Sequence, residues 1–437
     1  MGAGDFFAIF VTILYYYVAT TTSKPMKRYI TTIIATLVLG AAALAQQTDT
    51  TTYNNLAAKV DALEARLAKA EKRANAWEKS KQYFKVTGFA QVAYDWHDDR
   101  ASVPALAEDN KAQVITGAST FHLRRARLSI TGDIYKGKKG AVLDYRLYFD
   151  ITRVPNNPIL DMWVRYRPFK EFGVQIGQFK NPLSIEASIA PNKYDFIDFS
   201  YAVSYLAKMG KYDVMGLNMT ARDIGFRFIG GFIHRDGYSI INYDLGLLNG
   251  TGINTKDNNT SKDVIAVLTI KPMKELMIKT YYQWGEANLA TKDNYADYRW
   301  TGNGHYVRTH RWGVGAEYNP EKFFLRGEYL AGLTGLLPSE GAYLSGGYKL
   351  ALPKQAGIFW AGAMVDYFCY DVKDYVDRDT RNADIDMRYS ICLGYSPNKH
   401  FRVQAAYSFE HFIGQSSHVG YTNRHGNGFK LLCTASF

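Results

Sequence analysis

The sequence predicts an all-β fold: a transmembrane antiparallel β-barrel of about sixteen strands, which a short N-terminal coiled-coil helix precedes. Three observations lead to this prediction. Segments of alternating apolar and polar residues recur from Tyr83 to Phe437. The connections between these segments alternate between very short ones and mostly long ones. A signal for export lies upstream of the first segment.

The composition supports a β protein. The 437-residue chain holds 33 Tyr and 24 Phe but only 12 Pro, and we predict no long apolar helix after residue 45. The formal net charge of +11 permits an anionic partner, but no zinc-finger, P-loop or RNA-stacking motif supports nucleic acid in that role. The 3 cysteines are widely spaced and predict neither a disulfide framework nor a metal site, so we expect no cofactor.

Residues 26–45 have the organisation of a secretory signal peptide, so we expect the mature chain to begin at Gln46. Its parts are a basic start, an apolar run and a small-residue cleavage site: Lys27 and Arg28, Ile30–Leu39, and Ala43–Ala45. Upstream, residues 1–25 contain an apolar run that is short for a membrane span. A start codon assigned too early is therefore favoured over a membrane anchor.

A polar spacer, 46–52, leads into a predicted periplasmic coiled-coil helix over 53–80. Apolar residues recur there at alternating spacings of four and three, the pattern of a heptad seam. They are Leu56, Val60, Leu63, Leu67, Ala70, Ala74 and Trp77. A lone amphipathic helix that packs on the next domain is the alternative. Because the apolar stripe is narrow and terminal, self-association is favoured.

The barrel is predicted over 83–437, from segments of a length that crosses a bilayer when tilted. We place strands near 83–96, 119–134, 140–152, 158–168, 171–179, 222–234, 238–248, 262–271, 274–285, 307–319, 322–332, 340–351, 356–370, 385–396, 400–412 and 427–437. Tight turns, five of them with a proline, alternate with longer loops such as 97–118 and 180–221. A bacterial outer-membrane barrel has this asymmetry, with short periplasmic turns and long external loops. A soluble sandwich is not expected to sort its loops in this way.

Arginines fall on the predicted inner face of three consecutive strands. In the segment FHLRRARLSI, residues 121–130, Leu128 and Ile130 mark the outer face, so Arg125 and Arg127 point into the lumen. Arg124 is expected on the outer face, near the external end. The same alternation places Arg146, Arg165 and Arg167 inside. For any single arginine, solvation in the lumen or an ion pair with a neighbouring aspartate is the alternative role.

Two segments carry a resemblance to a known family. FHLRRARLSITGDIYKG and VQIGQFKNPLSIE, with Gly177, Phe179, Lys180, Pro182 and Glu186, resemble the phosphate-selective porin O and P family. The resemblance implies a sixteen-stranded barrel, a homotrimer and a third external loop that folds inward as a constriction, here 180–221. It also implies an anion route through strand-borne basic residues, matched by Arg125, Arg127 and Arg146, and through constriction lysines, matched by Lys180 and by Lys193 or Lys208.

The expected function is a passive, anion-preferring diffusion channel for phosphate, polyphosphate or similar anions in the Gram-negative outer membrane. Aspartates share the inner face and the loop, so we expect preference rather than exclusivity; they are Asp144, Asp150, Asp161, Asp195 and Asp198. A general small-solute porin and an adhesin or envelope-linking barrel are the alternatives. No G-x-S-x-G or H-E-x-x-H motif supports an enzyme. The apolar alternation that ends at Phe437 resembles the signal read by the barrel-assembly machinery, and outer-membrane lipid is the other expected partner.

Overall fold

A computed structural model describes residues 58–59, 61–62, 65–66, 68–69, 83–98, 118–137, 142–154, 158–207, 220–288, 306–335, 337–353, 356–369, 385–415 and 422–437. The chain divides into two compact units, Met1–Lys79 and Ser80–Phe437. In the first unit the eight described residues are helical and exposed. The expected signal peptide, the polar spacer and the seam of the coiled coil lie outside the described residues. In the part of the chain that is described, no helix is long and apolar enough to cross a membrane.

The second unit is a closed antiparallel barrel in which each strand pairs with its neighbours in sequence and β1 pairs with β16. Its strands are β1 Lys85–His97, β2 Ala118–Lys136, β3 Val142–Asp150, β4 Ile159–Phe169, β5 Phe172–Lys180, β6 Arg222–Arg235, β7 Tyr238–Leu248, β8 Asp263–Met273, β9 Leu276–Asn288, β10 Tyr306–Tyr318, β11 Phe323–Thr334, β12 Leu337–Ala351, β13 Ile358–Cys369, β14 Ile385–Asn398, β15 Phe401–Gln415 and β16 Thr422–Ser436. The prediction of a sixteen-stranded antiparallel barrel is confirmed.

The two faces of the strands differ as the alternation predicts. On β14, Tyr389, Ile391 and Leu393 are exposed on the outside of the barrel, whereas Arg388 and Cys392 are buried on the inside. An apolar outer face is compatible with the hydrocarbon core of a membrane, and closure of the barrel leaves no strand edge unpaired in that core. The same period of two therefore sets which side chains reach the lumen.

The inner loop, residues 181–207, fills one side of the lumen. It contains two short helices, α1 (Ile185–Ser188) and α2 (Tyr201–Leu206). Side chains on the inner faces of β13, β14 and β15 hold its backbone: Trp360 donates to the Asp195 carbonyl at 3.1 Å, Arg388 to the Phe199 carbonyl at 2.6 Å, and Gln404 to the Tyr194 carbonyl at 3.3 Å. Its apolar residues form one buried cluster with the wall. The loop thus covers the wall on this side of the barrel.

The expected outward orientation of Arg124 is wrong. Gln91 of β1 pairs with Arg125, but the next residue, Val92, pairs with Leu123, so Arg124 is the extra residue of a β-bulge. The bulge rotates Arg124 inward, where its guanidinium donates to the Asp198 carboxylate at 2.6 Å. Arg124 therefore binds the inner loop and does not contact lipid.

Candidate functional site

A wall of basic side chains lines the lumen on β2 to β6, opposite the surface that the inner loop covers. All five arginines predicted on strands lie on the inner face. The basic wall consists of Arg125 and Arg127 on β2, Arg146 on β3, Arg165 and Arg167 on β4, Lys180 on β5, and Arg222 and Arg227 on β6. Because these strands are consecutive neighbours, the wall is one continuous surface.

Most of these arginines are bound to aspartates of the same wall. The pairs are Arg127–Asp150 at 2.8 Å, Arg146–Asp161 at 3.4 Å, Arg222–Asp161 at 2.9 Å, Arg165–Asp144 at 2.5 Å, Arg167–Asp144 at 3.4 Å and Arg227–Asp244 at 2.6 Å. Two aspartates, Asp144 and Asp161, therefore each serve two arginines. The ion pairs hold the guanidinium groups in place and cancel part of their charge.

Two members of the wall have no carboxylate partner among the described residues. The Arg125 guanidinium donates to the amide oxygen of Gln91 at 3.0 Å. The Lys180 side chain makes no hydrogen bond or ion pair with a described residue, and its strongest electrostatic neighbours are Arg222, Arg127, Asp161 and Arg125. Both side chains are half-buried. Four aspartates thus pair with six of these eight basic groups, and Arg125 and Lys180 are the two that form no ion pair with a described residue.

The two aspartates of the inner loop form ion pairs with other cations of the barrel wall, although Asp198 also acts electrostatically on Arg125. Asp198 lies 2.6 Å from Arg124 and 2.6 Å from Lys430. Burial acts to raise the pKa of Asp198, but these two cations, Lys430 foremost, hold it well below its usual range. Asp195 lies 3.6 Å from Arg326. Asp198 is consequently ionised, and cations of the barrel wall neutralise its charge.

Comparison with known proteins finds one family that part of the chain matches. Residues 102–275 match the family described as phosphate-selective porin O and P. These residues belong to that family. They include β2 to β8, and so the basic wall and the inner loop. The resemblance seen in the two sequence segments is confirmed. No curated protein sequence matches the chain.

Solved structures show the same fold at low identity. An anion-selective porin from Comamonas acidovorans superposes with a TM-score of 0.54 at 11% identity, covering 81% of this chain and 99% of that one. The outer-membrane channel DcaP of Acinetobacter baumannii gives 0.54 at 12% identity, covering 81% and 97%. OmpT of Vibrio cholerae in a trimer form gives 0.52 at 11% identity, covering 81% and 99%. The family match over residues 102–275 and this fold support an outer-membrane porin.

The remaining predicted lysines differ in position. Lys193 is exposed on the inner loop, two residues after Pro191, whose carbonyl lies 3.4 Å from the side-chain amide of Gln91. Gln91 in turn binds Arg125, so this part of the loop borders the uncompensated end of the wall. Lys208 lies outside the described residues.

Arg222, Arg227 and Lys279 are among the basic groups inside the barrel that sequence reasoning missed. Arg227 stands between Phe226 and Phe228, so the alternation of β6 already carried the signal. Lys279 likewise stands on β9 between residues of the outer face, and its ammonium donates to the Ser184 carbonyl at 2.9 Å. Arg222 begins β6, where strand parity is hard to assign from sequence, and only its bond to Asp161 shows its direction.

Proposed function

We propose that this porin is a passive diffusion channel that prefers anions, with phosphate or a similar small oxyanion as the solute. The observation that carries the proposal is the surplus of basic over acidic groups on the wall, concentrated at Arg125 and Lys180. Unit charges about 4 Å apart interact by roughly 1 kcal/mol in water and about 4 kcal/mol at an effective dielectric of 20. Such a surplus offsets part of the cost of dehydrating an anion without trapping it, as conduction requires.

A general small-solute porin is the second candidate. Six of the seven wall arginines form ion pairs with aspartates, and this pairing weakens the electric field that acts on a passing ion. We propose preference rather than strict selectivity for this reason.

A bilayer recording of the purified protein in a KCl gradient tests the proposal. An anion-preferring channel gives a reversal potential with the same sign as the chloride equilibrium potential. Added phosphate lowers the chloride current, because it competes for the same basic wall. A reversal potential at zero, with no effect of phosphate, supports the general porin instead.

Export and assembly are part of the same proposal. We infer cleavage before Gln46, recognition of the C-terminal Phe437 by the barrel-assembly machinery, and a homotrimer. The family match supports the trimer, and OmpT of Vibrio cholerae shares this fold in its trimer form. The mass of the protein from outer membranes tests the cleavage site, because a retained N-terminus contradicts it.

A further inference from the structure

Two buried carboxylates hold the start of the inner loop on the barrel wall. Glu328, on β11, is only 3% exposed and accepts hydrogen bonds from both the loop and the wall. Its donors are the Ser184 hydroxyl at 2.8 Å, the Ile185 and Glu186 amides at 2.7 and 2.8 Å, and the Tyr343 and Tyr281 hydroxyls at 2.6 and 3.3 Å. Glu328 thus fixes α1 in place.

The second carboxylate, Glu186, ties that attachment to the next part of the loop. Its side chain is fully buried and accepts hydrogen bonds from the Tyr194 hydroxyl and from both the hydroxyl and the amide of Ser200, at 2.6 and 3.0 Å. Ser200 is the N-cap of α2. A change of charge at Glu186 therefore alters contacts along most of the inner loop.

The cations nearest to this pair donate their hydrogen bonds to other groups, although the Glu328 carboxylate acts electrostatically on the Lys279 ammonium. Lys279, on β9, donates to the Ser184 carbonyl at 2.9 Å and to the Ser188 hydroxyl at 3.1 Å. Arg326, beside the pair on β11, binds Glu317 and Asp195, and Arg388, on β14, binds Asp366 at 3.1 Å. Among the described residues, neither carboxylate forms an ion pair. Two like charges in a buried site of low effective dielectric constant repel each other more strongly than in water.

We propose that Glu186, held against Glu328, is a pH-sensitive latch: a proton on Glu186 keeps the inner loop on the wall, and its loss releases the loop into the lumen. The proposal rests on the channel function proposed above. Burial raises the pKa of Glu186 to about 7; the Ser200 and Tyr194 hydrogen bonds oppose this rise, and the Glu328 carboxylate adds to it. The remaining titratable groups that face the pair are phenols, Tyr281 from β9 and Tyr343 from β12.

The direction of the effect follows from the two pKa values. A released, hydrated glutamate has a pKa of 4.5, below the value of about 7 in the docked loop. The docked loop therefore binds the proton more tightly, and its advantage is complete below pH 4.5 and falls as the pH rises to about 7. Since one proton is released, the ratio of closed to open time rises by at most about tenfold per pH unit.

Single-channel recording of the full protein tests the latch. Between about pH 5.5 and about pH 8.5, a range that spans the pKa of about 7 of Glu186 in the docked loop, we expect the closed time of the wild type to rise several-fold. Glu186→Gln abolishes this rise, because an amide has no proton to lose in this range. Tyr194→Phe keeps the rise but moves its midpoint to higher pH, because a hydrogen bond that favours the carboxylate is gone. Glu321→Gln, at an exposed turn, is the matched control and keeps the wild-type profile.

A pH-independent wild type, or a Glu186→Gln channel that still closes as the pH rises, overturns the latch. If Glu186→Gln does not fold, the Tyr194→Phe midpoint decides, and an unchanged or lower midpoint contradicts the proposal. Ion preference is read separately from the reversal potential. A cation-preferring channel with the expected pH profile supports the latch and refutes the proposed function. An anion-preferring channel whose closed time does not depend on pH supports the proposed function and refutes the latch.

Discussion

Single residues of the basic wall serve two purposes, structure and charge. Arg127 and Asp150 form one of the two most enclosed ion pairs of the wall, with side chains that are 9% and 3% exposed. Arg125, two positions away on the same face, binds only the neutral Gln91 among the described residues. Substitutions at these two arginines should therefore have different consequences.

Arg127→Gln should destabilise the barrel by about 3 kcal/mol, because it leaves the Asp150 carboxylate buried without its cation. Arg127→Gln/Asp150→Asn removes both charges and should recover most of that loss. The temperature at which the folded protein changes mobility on a semi-native gel measures the effect. Arg125→Gln is the control and should stay within about 1 kcal/mol of wild type, as substitutions outside buried charge pairs usually do. Equal losses in the two single variants contradict this division.

At the scale of elements, the contact between the inner loop and β13 depends on a glycine. A Cβ added at Gly394 of β14 would lie 1.9 Å from the ring of Trp360 on β13. Trp360 needs this space in order to donate to the Asp195 carbonyl of the loop. The absence of a side chain on one strand thus positions the loop through its neighbour.

Gly394→Ala should displace the Trp360 ring and weaken the loop attachment, at a cost of about 1–3 kcal/mol from overpacking. Single-channel current should become noisier as the loop moves. Gly346→Ala is the matched control, because its added carbon meets its nearest neighbours at 3.3 Å on the outer face, a contact that a shift of a few tenths of an ångström relieves. Quiet current from Gly394→Ala, or equal noise from both variants, contradicts this role of the glycine.

The elements were largely predictable from the sequence, because a period of two fixes both the strand and its faces. The prediction placed β14 at 385–396, against Ile385–Asn398 in the structure. The predicted orientation of Arg124 was wrong because a β-bulge breaks that period, and nothing in the segment RRAR marks the extra residue. The Glu186–Glu328 contact was also beyond prediction, since it joins a loop to a strand 142 positions away and no periodic pattern links them.

At the scale of the whole molecule, the N-terminal helix should assist assembly rather than drive it. Deleting residues 53–80 should leave folded trimers that dissociate at a lower temperature, because small residues weaken the lower half of the predicted seam. Cross-linking followed by heating on a semi-native gel measures this. Loss of the folded barrel in the deletion variant would show that the segment has another role.

The charge surplus of the wall is likewise a property of the whole lumen, because paired arginines and aspartates nearly cancel and an ion responds to what remains. The reversal potential in a KCl gradient, measured for Arg125→Gln/Lys180→Gln beside Arg127→Gln/Asp150→Asn, tests this most directly. Both variants remove two charged groups, but only the first removes net positive charge. The first should move the reversal potential toward zero, and the second should leave it at the wild-type value. An unchanged potential in the first, or an equal shift in both, would contradict the account.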